Sequence, residues 1–248
     1  MENETALPET PRHRAAALQP IALPPRRRRG GRWLGRLWLV VIVALAFWGG
    51  VVGKRRWDVY YTVARAPLAP SGGWYFWPRM ELPVPLFTQG DPRWSEDFLG
   101  PSNDTLGSAG CAVSSMAMVL KFYGIDTDPG RLNAFLDEHG GFTEQGWLIW
   151  EGAETLAPGR VKKIYEDLPS YALLDDNLRR GNPVIVRIRL PSGITHFVVV
   201  MGKDGFDYLI RDPASAGLRR GVYPLKDYGR PIEALRFYEK TTAAVAGS

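Results

Sequence analysis

The chain reads as an α+β domain preceded by one membrane-spanning helix. Apolar residues recur at helical spacing first, over Ser108–Gly124, and alternating strand-like runs follow from Pro183 onward. An uncharged run, Leu37–Gly53, stands ahead of both. Helices first and antiparallel strands after is the order of an α+β domain. The 248 residues allow one ordinary domain with accessories, and 45% hydrophobic against 23% charged residues fits a globular chain.

Residues 1–32 are rich in Pro, Ala and Arg, with no period that would bury a face. They are expected to form a disordered, basic cytoplasmic tail. Residues 33–53 are expected to be a transmembrane signal anchor, close to the roughly 20 residues a bilayer requires. Trp33, Trp38, Trp48 and Trp57 sit near its two ends, where amphipathic rings favour the interface. Eight arginines precede the uncharged run Leu37–Gly53, and Lys54, Arg55 and Arg56 follow it. The excess predicts a cytoplasmic N-terminus and an extracytoplasmic domain, periplasmic or at the cell surface. Ala44-Leu45-Ala46 resembles a signal-peptide cleavage site. Bulky Phe47 and Trp48 follow it inside a long apolar run, so an uncleaved anchor is expected.

Residues 54–80 are expected to be a juxtamembrane linker, because Pro67, Pro70, Gly72 and Gly73 interrupt any helix. The aromatics Tyr60, Tyr61 and Trp74–Trp77 fit two placements equally, at the lipid interface or packed on the folded domain. The domain itself is placed at 81–240, with a disordered tail at 241–248.

Within the domain, Val113, Met116, Ala117, Leu120 and Phe122 predict a helix that opens after a turn at Ser108 and closes at Gly124. Further helices are expected over Pro129–His139 and Tyr171–Arg180. Strands are expected over Pro183–Leu190, His196–Met201, Phe206–Arg211 and Ile232–Tyr238. Gly202-Lys203-Asp204-Gly205 reads as a hairpin turn between the second and third of these. Trp147 and Trp150 fit either the core or a cleft.

The net charge of +5 conceals two segments. Residues 1–80 carry thirteen Lys and Arg against four Asp and Glu, whereas residues 81–240 carry eighteen against twenty-two. The basic character belongs to the tail, so the domain lacks the positive field of a nucleic-acid binder. One cysteine excludes an intramolecular disulfide and any multi-cysteine metal site. Three scattered histidines provide no ligand cluster, and there is no phosphate-binding glycine loop, so no metal or cofactor is expected.

The chemistry concentrates on four residues. Cys111 follows Gly110 and opens the first helix, where the positive end of the helix dipole favours a thiolate. Gly107 and Gly110 permit a tight approach to it. Of the histidines, His13 lies in the tail and His139 ends a short helix, whereas His196 begins a strand after a glycine loop. That placement suits a general base. Asp212 lies sixteen residues beyond His196, across the expected hairpin, where a carboxylate accepts the Nδ1 proton and orients the ring. Gln89 offers a side-chain amide for an oxyanion, alongside the Cys111 backbone N–H.

The order of Gln, Gly-Cys opening a helix, strand-borne His and Asp-Pro resembles the papain-like cysteine peptidases. More narrowly it resembles the bacteriocin-processing, double-glycine-leader peptidase family and its stand-alone relatives. The matching stretches are Val84–Trp94, Gly110–Gly124, Gly181–Ile188 and His196–Pro213. The resemblance implies a papain-like fold, with Cys111 as nucleophile, His196 as base, Asp212 as orienter and Gln89 as oxyanion donor. One departure stands out. The papain-like Gln usually precedes the Cys by a few residues, whereas here the two are twenty-two positions apart.

The implied activity is hydrolysis of a peptide or protein substrate through an acyl-enzyme. A cell-wall peptide amidase or transferase using the same residues, and a catalytically silent binding module, are the alternatives. Leader-processing members are fused to transporter modules, and this sequence contains none, so a leader substrate is not carried over.

Overall fold

A computed structural model describes residues 31–61, 67–214 and 221–241. The tail expected at 1–32 lies outside these residues up to position 30, and the C-terminal tail does so from position 242.

Helix α1 spans Gly31–Tyr61. Its stretch Arg36–Lys54 has a mean hydropathy of 2.0, with none of its residues buried. It is long and apolar enough to cross a membrane.

The remaining elements are β1 (Ser71–Glu81), α2 (Leu106–Ala109), α3 (Cys111–Phe122), α4 (Pro129–Glu138), α5 (Gly152–Leu156) and β2 (Val161–Asp167). They are followed by α6 (Tyr171–Arg179), β3 (Val184–Arg189), β4 (Thr195–Arg211), β5 (Tyr223–Pro224), a 3₁₀ turn (Leu225–Tyr228) and β6 (Ile232–Lys240). The sheet order is β1-β4-β3-β6-β2, with β5 added to β4, and these pairings are antiparallel. An antiparallel sheet with helices is as expected, and so are the starts of α3, α4 and α6, but β1 precedes the helices of the folded region and β2 lies between α5 and α6.

At the sheet centre, β3 and β4 bury consecutive residues, including Val184–Val186 and Val198–Val200. Both faces are therefore covered, as a continuous apolar run requires. Helix α3 packs on β4 and is buried almost all round, from Val113 to Leu120. Its Ser115 Oγ donates to the Phe197 carbonyl at 3.2 Å, closing helix onto strand.

One expectation is corrected and another refined here. Residues expected as linker contain β1, and Leu68 already exchanges backbone hydrogen bonds with Ile232, at 2.8 and 2.7 Å. The folded region thus begins ahead of residue 81. Glycine at 73 reflects crowding rather than looseness: its φ is +72°, and a Cβ there would lie 2.3 Å from Asp175 Oδ2.

The reversal expected at Gly202–Gly205 is present, but strand structure runs through it: residues 195–211 form one continuous strand, and residues 202–207 are in register with β1. The chain doubles back within that strand. Sixteen extended residues would span about 50 Å, yet the side chains of His196 and Asp212 are 2.8 Å apart.

Lys203, at this reversal, is fully buried. Its Nζ donates to Asp175 Oδ1 at 2.5 Å, the Gly72 carbonyl at 2.8 Å and Tyr208 Oη at 3.2 Å. Asp175 also accepts from Tyr208 Oη–H at 2.9 Å and the Trp74 amide at 2.7 Å. Burial pushes the ammonium down to about 8 against the pull of Asp175. The pair fastens β1 to α6 and β4. Replacing Asp175 by Ala strands a buried ammonium and is expected to cost about 3–5 kcal/mol, read from urea unfolding of the full chain in detergent.

Candidate active site

The position of Cys111 is built by two short helical steps. Thr105 caps α2: its side chain accepts from the Ser108 amide while Ser108 Oγ accepts from the Thr105 amide. Gly110 then caps α3, and a Cβ there would lie 2.4 Å from the Leu106 carbonyl oxygen. Glycine at 110 is thus demanded by close approach to the preceding turn. Cys111 is the first residue of α3 and is 8% exposed. Its backbone N–H belongs to the first turn, where no helical carbonyl partners it.

His196 lies on β4 opposite Ile188 of β3 and is buried. Its Nε2 donates to Asp212 Oδ1 at 2.8 Å. The Cys111 thiol is near enough to act on the same ring and favours its protonated form. The sequence reading placed Asp212 on Nδ1, whereas the carboxylate takes Nε2. Burial alone would lower the imidazolium's pKa. The hydrogen bonds and charges of Asp212 and Cys111 outweigh it and raise the group to about 9.

Asp212 is 2% exposed and collects four donors. Oδ1 accepts from His196 and from the Ala214 amide at 2.8 Å. Oδ2 accepts from the hydroxyls of Tyr223 and Tyr228. Burial would raise its pKa, but His196 and the two tyrosines more than offset that and hold it below the ordinary carboxylate range. Sequence reasoning missed both tyrosines. They stand on β5 and the 3₁₀ turn, eleven and sixteen residues beyond Asp212, in a stretch with no period or motif.

Gln89 is held twice. Its backbone N–H donates to the Pro213 carbonyl at 2.9 Å, and its Nε2 donates to the Gly107 carbonyl at 2.9 Å. It therefore joins the Asp-Pro corner to the turn that leads into Cys111. The intervening residues close on themselves: Leu106 N–H donates to Asp97 O, and Gly107 N–H to Ser95 O, both at 2.8 Å. Trp94 is buried beneath them. Eighteen of the twenty-two positions between Gln89 and Cys111 are thus spanned by one hydrogen bond, from Gln89 to Gly107.

The other candidates lie elsewhere. His139 ends α4, with Nδ1 2.8 Å from the Phe135 carbonyl. Trp147 is 71% exposed, whereas Trp150 is buried edge-on to Phe197. Among the described residues no group of three or more His, Cys, Asp and Glu could hold a metal.

A cysteine at a helix start, a strand-borne histidine and a carboxylate on the histidine's far nitrogen, set on an antiparallel sheet, are the frame of the papain-like cysteine peptidases. The chain belongs to the Peptidase_C39-like family, whose model matches residues 81–240. A solved structure from Bacillus anthracis, provisionally described as a C39-like peptidase, is 18% identical. It aligns over 66% of this chain and 99% of its own, with a TM-score of 0.42. No curated protein matches the chain.

Tyr223→Phe or Tyr228→Phe each removes a donor from a buried carboxylate. A loss of about 1.5–3 kcal/mol is expected for either, measured by urea unfolding at neutral pH. The double variant should lose less than the sum, because the two hydroxyls share one oxygen.

Proposed function

We propose that this protein is a membrane-anchored cysteine peptidase with its catalytic domain outside the cytoplasm. The observation that carries the reading is His196, hydrogen-bonded to Asp212 through Nε2 and pushed towards its protonated form by both Asp212 and the Cys111 thiol. Membership of a C39-like peptidase family supports a peptide or protein substrate. The apolar span of α1 and the arginine excess ahead of it support the anchor and its orientation.

In this mechanism His196 takes the Cys111 proton, and the sulfur attacks the scissile carbonyl carbon as the π electrons move onto oxygen. The oxyanion accepts from the Cys111 backbone N–H and from the Gln89 amide. One Nε2 hydrogen of Gln89 is committed to Gly107, leaving the other for this purpose. Collapse of the intermediate breaks the C–N bond, and His196 protonates the departing amine. Water, deprotonated by His196, then attacks the thioester and releases the acid and the free thiol. Asp212 stays ionised throughout and holds the ring in place.

Alkylation of Cys111 by iodoacetamide at neutral pH tests the pair directly. Replacing His196 by Ala is expected to slow it by about a hundredfold. A thiol that reacts only when the protein unfolds, or that ignores the substitution, would point to a silent binding module instead.

The imidazolium is present below its pKa and lost above it. Peptidase kcat/KM is therefore expected to fall as pH rises through about 9. Asp212→Asn removes the charge and weakens the hydrogen bond opposing burial, so this alkaline limb should move to lower pH. A limb that stays in place would show that Asp212 does not set the titration of His196.

A further inference from the structure

Strand β1 is an edge of the sheet, paired on one side only, with β4. It nevertheless exposes large aromatics: Tyr75 is 61% exposed and Trp77 83%. Soluble proteins protect such edges with charge, brevity or a covering element. Here the nearest charges are mixed and form no basic patch, since Arg79 pairs with Glu81 and approaches Asp204 at 3.8 Å. A shallow hollow between Tyr75, Trp77 and Arg179 adds relief to the same surface.

Two facts say what covers this strand. The first is chain length. From Lys54, the end of the apolar stretch, α1 continues to Tyr61 at about 1.5 Å per residue. Seven further residues, at most about 3.4 Å each, reach Leu68, which is fixed to Ile232. Leu68 therefore stays within about 35 Å of Lys54, less than the roughly 40 Å breadth of a domain this size. β1 begins three residues later, as the first strand of the folded region. The second fact is rigidity. The buried Lys203–Asp175 pair grips the β1 backbone at Gly72 and Trp74, so the aromatic side chains project from a fixed base.

We propose that β1 is a lipid-docking edge: Tyr75 and Trp77 sit in the headgroup and upper acyl region of the bilayer that α1 crosses. Tyr and Trp favour that zone because one part of each ring is apolar and another is wet. The contact is aromatic rather than ionic, so added salt should leave it unchanged. The proposal rests on the reading of α1 as a membrane anchor.

The test uses the full chain with Cys111→Ser and one introduced cysteine carrying bimane, at Tyr75→Cys or Trp147→Cys. Trp147 is the control: it is exposed, and it lies just ahead of α5, which packs on β2 at the opposite edge of the sheet. The protein is reconstituted in phosphatidylcholine–phosphatidylglycerol vesicles with brominated acyl chains. Bimane at position 75 should be quenched several-fold more than at position 147, at low and high salt alike. Equal quenching in protein that stays with the vesicles overturns the docking edge alone. A label at 75 that escapes bromine but is shielded from aqueous iodide assigns the strand to a protein partner and overturns the lipid reading. Protein that washes off the vesicles in alkaline carbonate overturns the anchor and the inference together.

Discussion

The Asp212 carboxylate lies out of reach of water, so the protein must supply every group that keeps it ionised. That requirement organises the surrounding chain. His196 and the Ala214 amide take one oxygen, Tyr223 and Tyr228 the other. The strand β4 has to double back to deliver the histidine, and β5 and the 3₁₀ turn have to lie against it to deliver the tyrosines. A buried carboxylate missing one donor is far more costly than one with all of them. The four contacts therefore hold each other in place, and the ring of His196 inherits a single orientation from them.

The site was largely legible because its members are chemically scarce. There is one cysteine, and of three histidines only His196 begins a strand. Helix α3 was legible from its spacing and from the glycine ahead of Cys111. The tyrosines were not, because their role depends on a neighbour supplied by folding and leaves no period in the chain. The ring nitrogen facing Asp212 was also beyond reach, since it depends on how β4 turns rather than on residue order.

The misread segments share a cause. Glycine signals both freedom and crowding, and sequence alone does not separate them. Gly72 and Gly73 were taken as linker, yet they admit the Lys203–Asp175–Tyr208 cluster to the β1 backbone. Gly202 was taken as part of a turn, yet a Cβ there would lie 2.3 Å from the Met80 carbonyl oxygen. A lysine between glycines is ordinarily a solvated loop residue, and its full burial here follows from two acceptors arriving from α6 and β1 and a third, Tyr208, from further along β4.

The loop between Gln89 and Gly107 has its two feet joined, since Gln89 bonds directly to the Gly107 carbonyl and to Pro213. Between the feet the loop is anchored as well, with Trp94 and Leu99 buried and the Ser95 and Asp97 carbonyls accepting from Gly107 and Leu106, so only its tip at residues 101–104 stands largely free of the turn into Cys111. Lengthening a closed surface loop costs little free energy, because the closure penalty grows only with the logarithm of its length. The exposed tip can therefore lengthen while the turn into Cys111 stays in register, which makes it a place where new surface can be added beside the site.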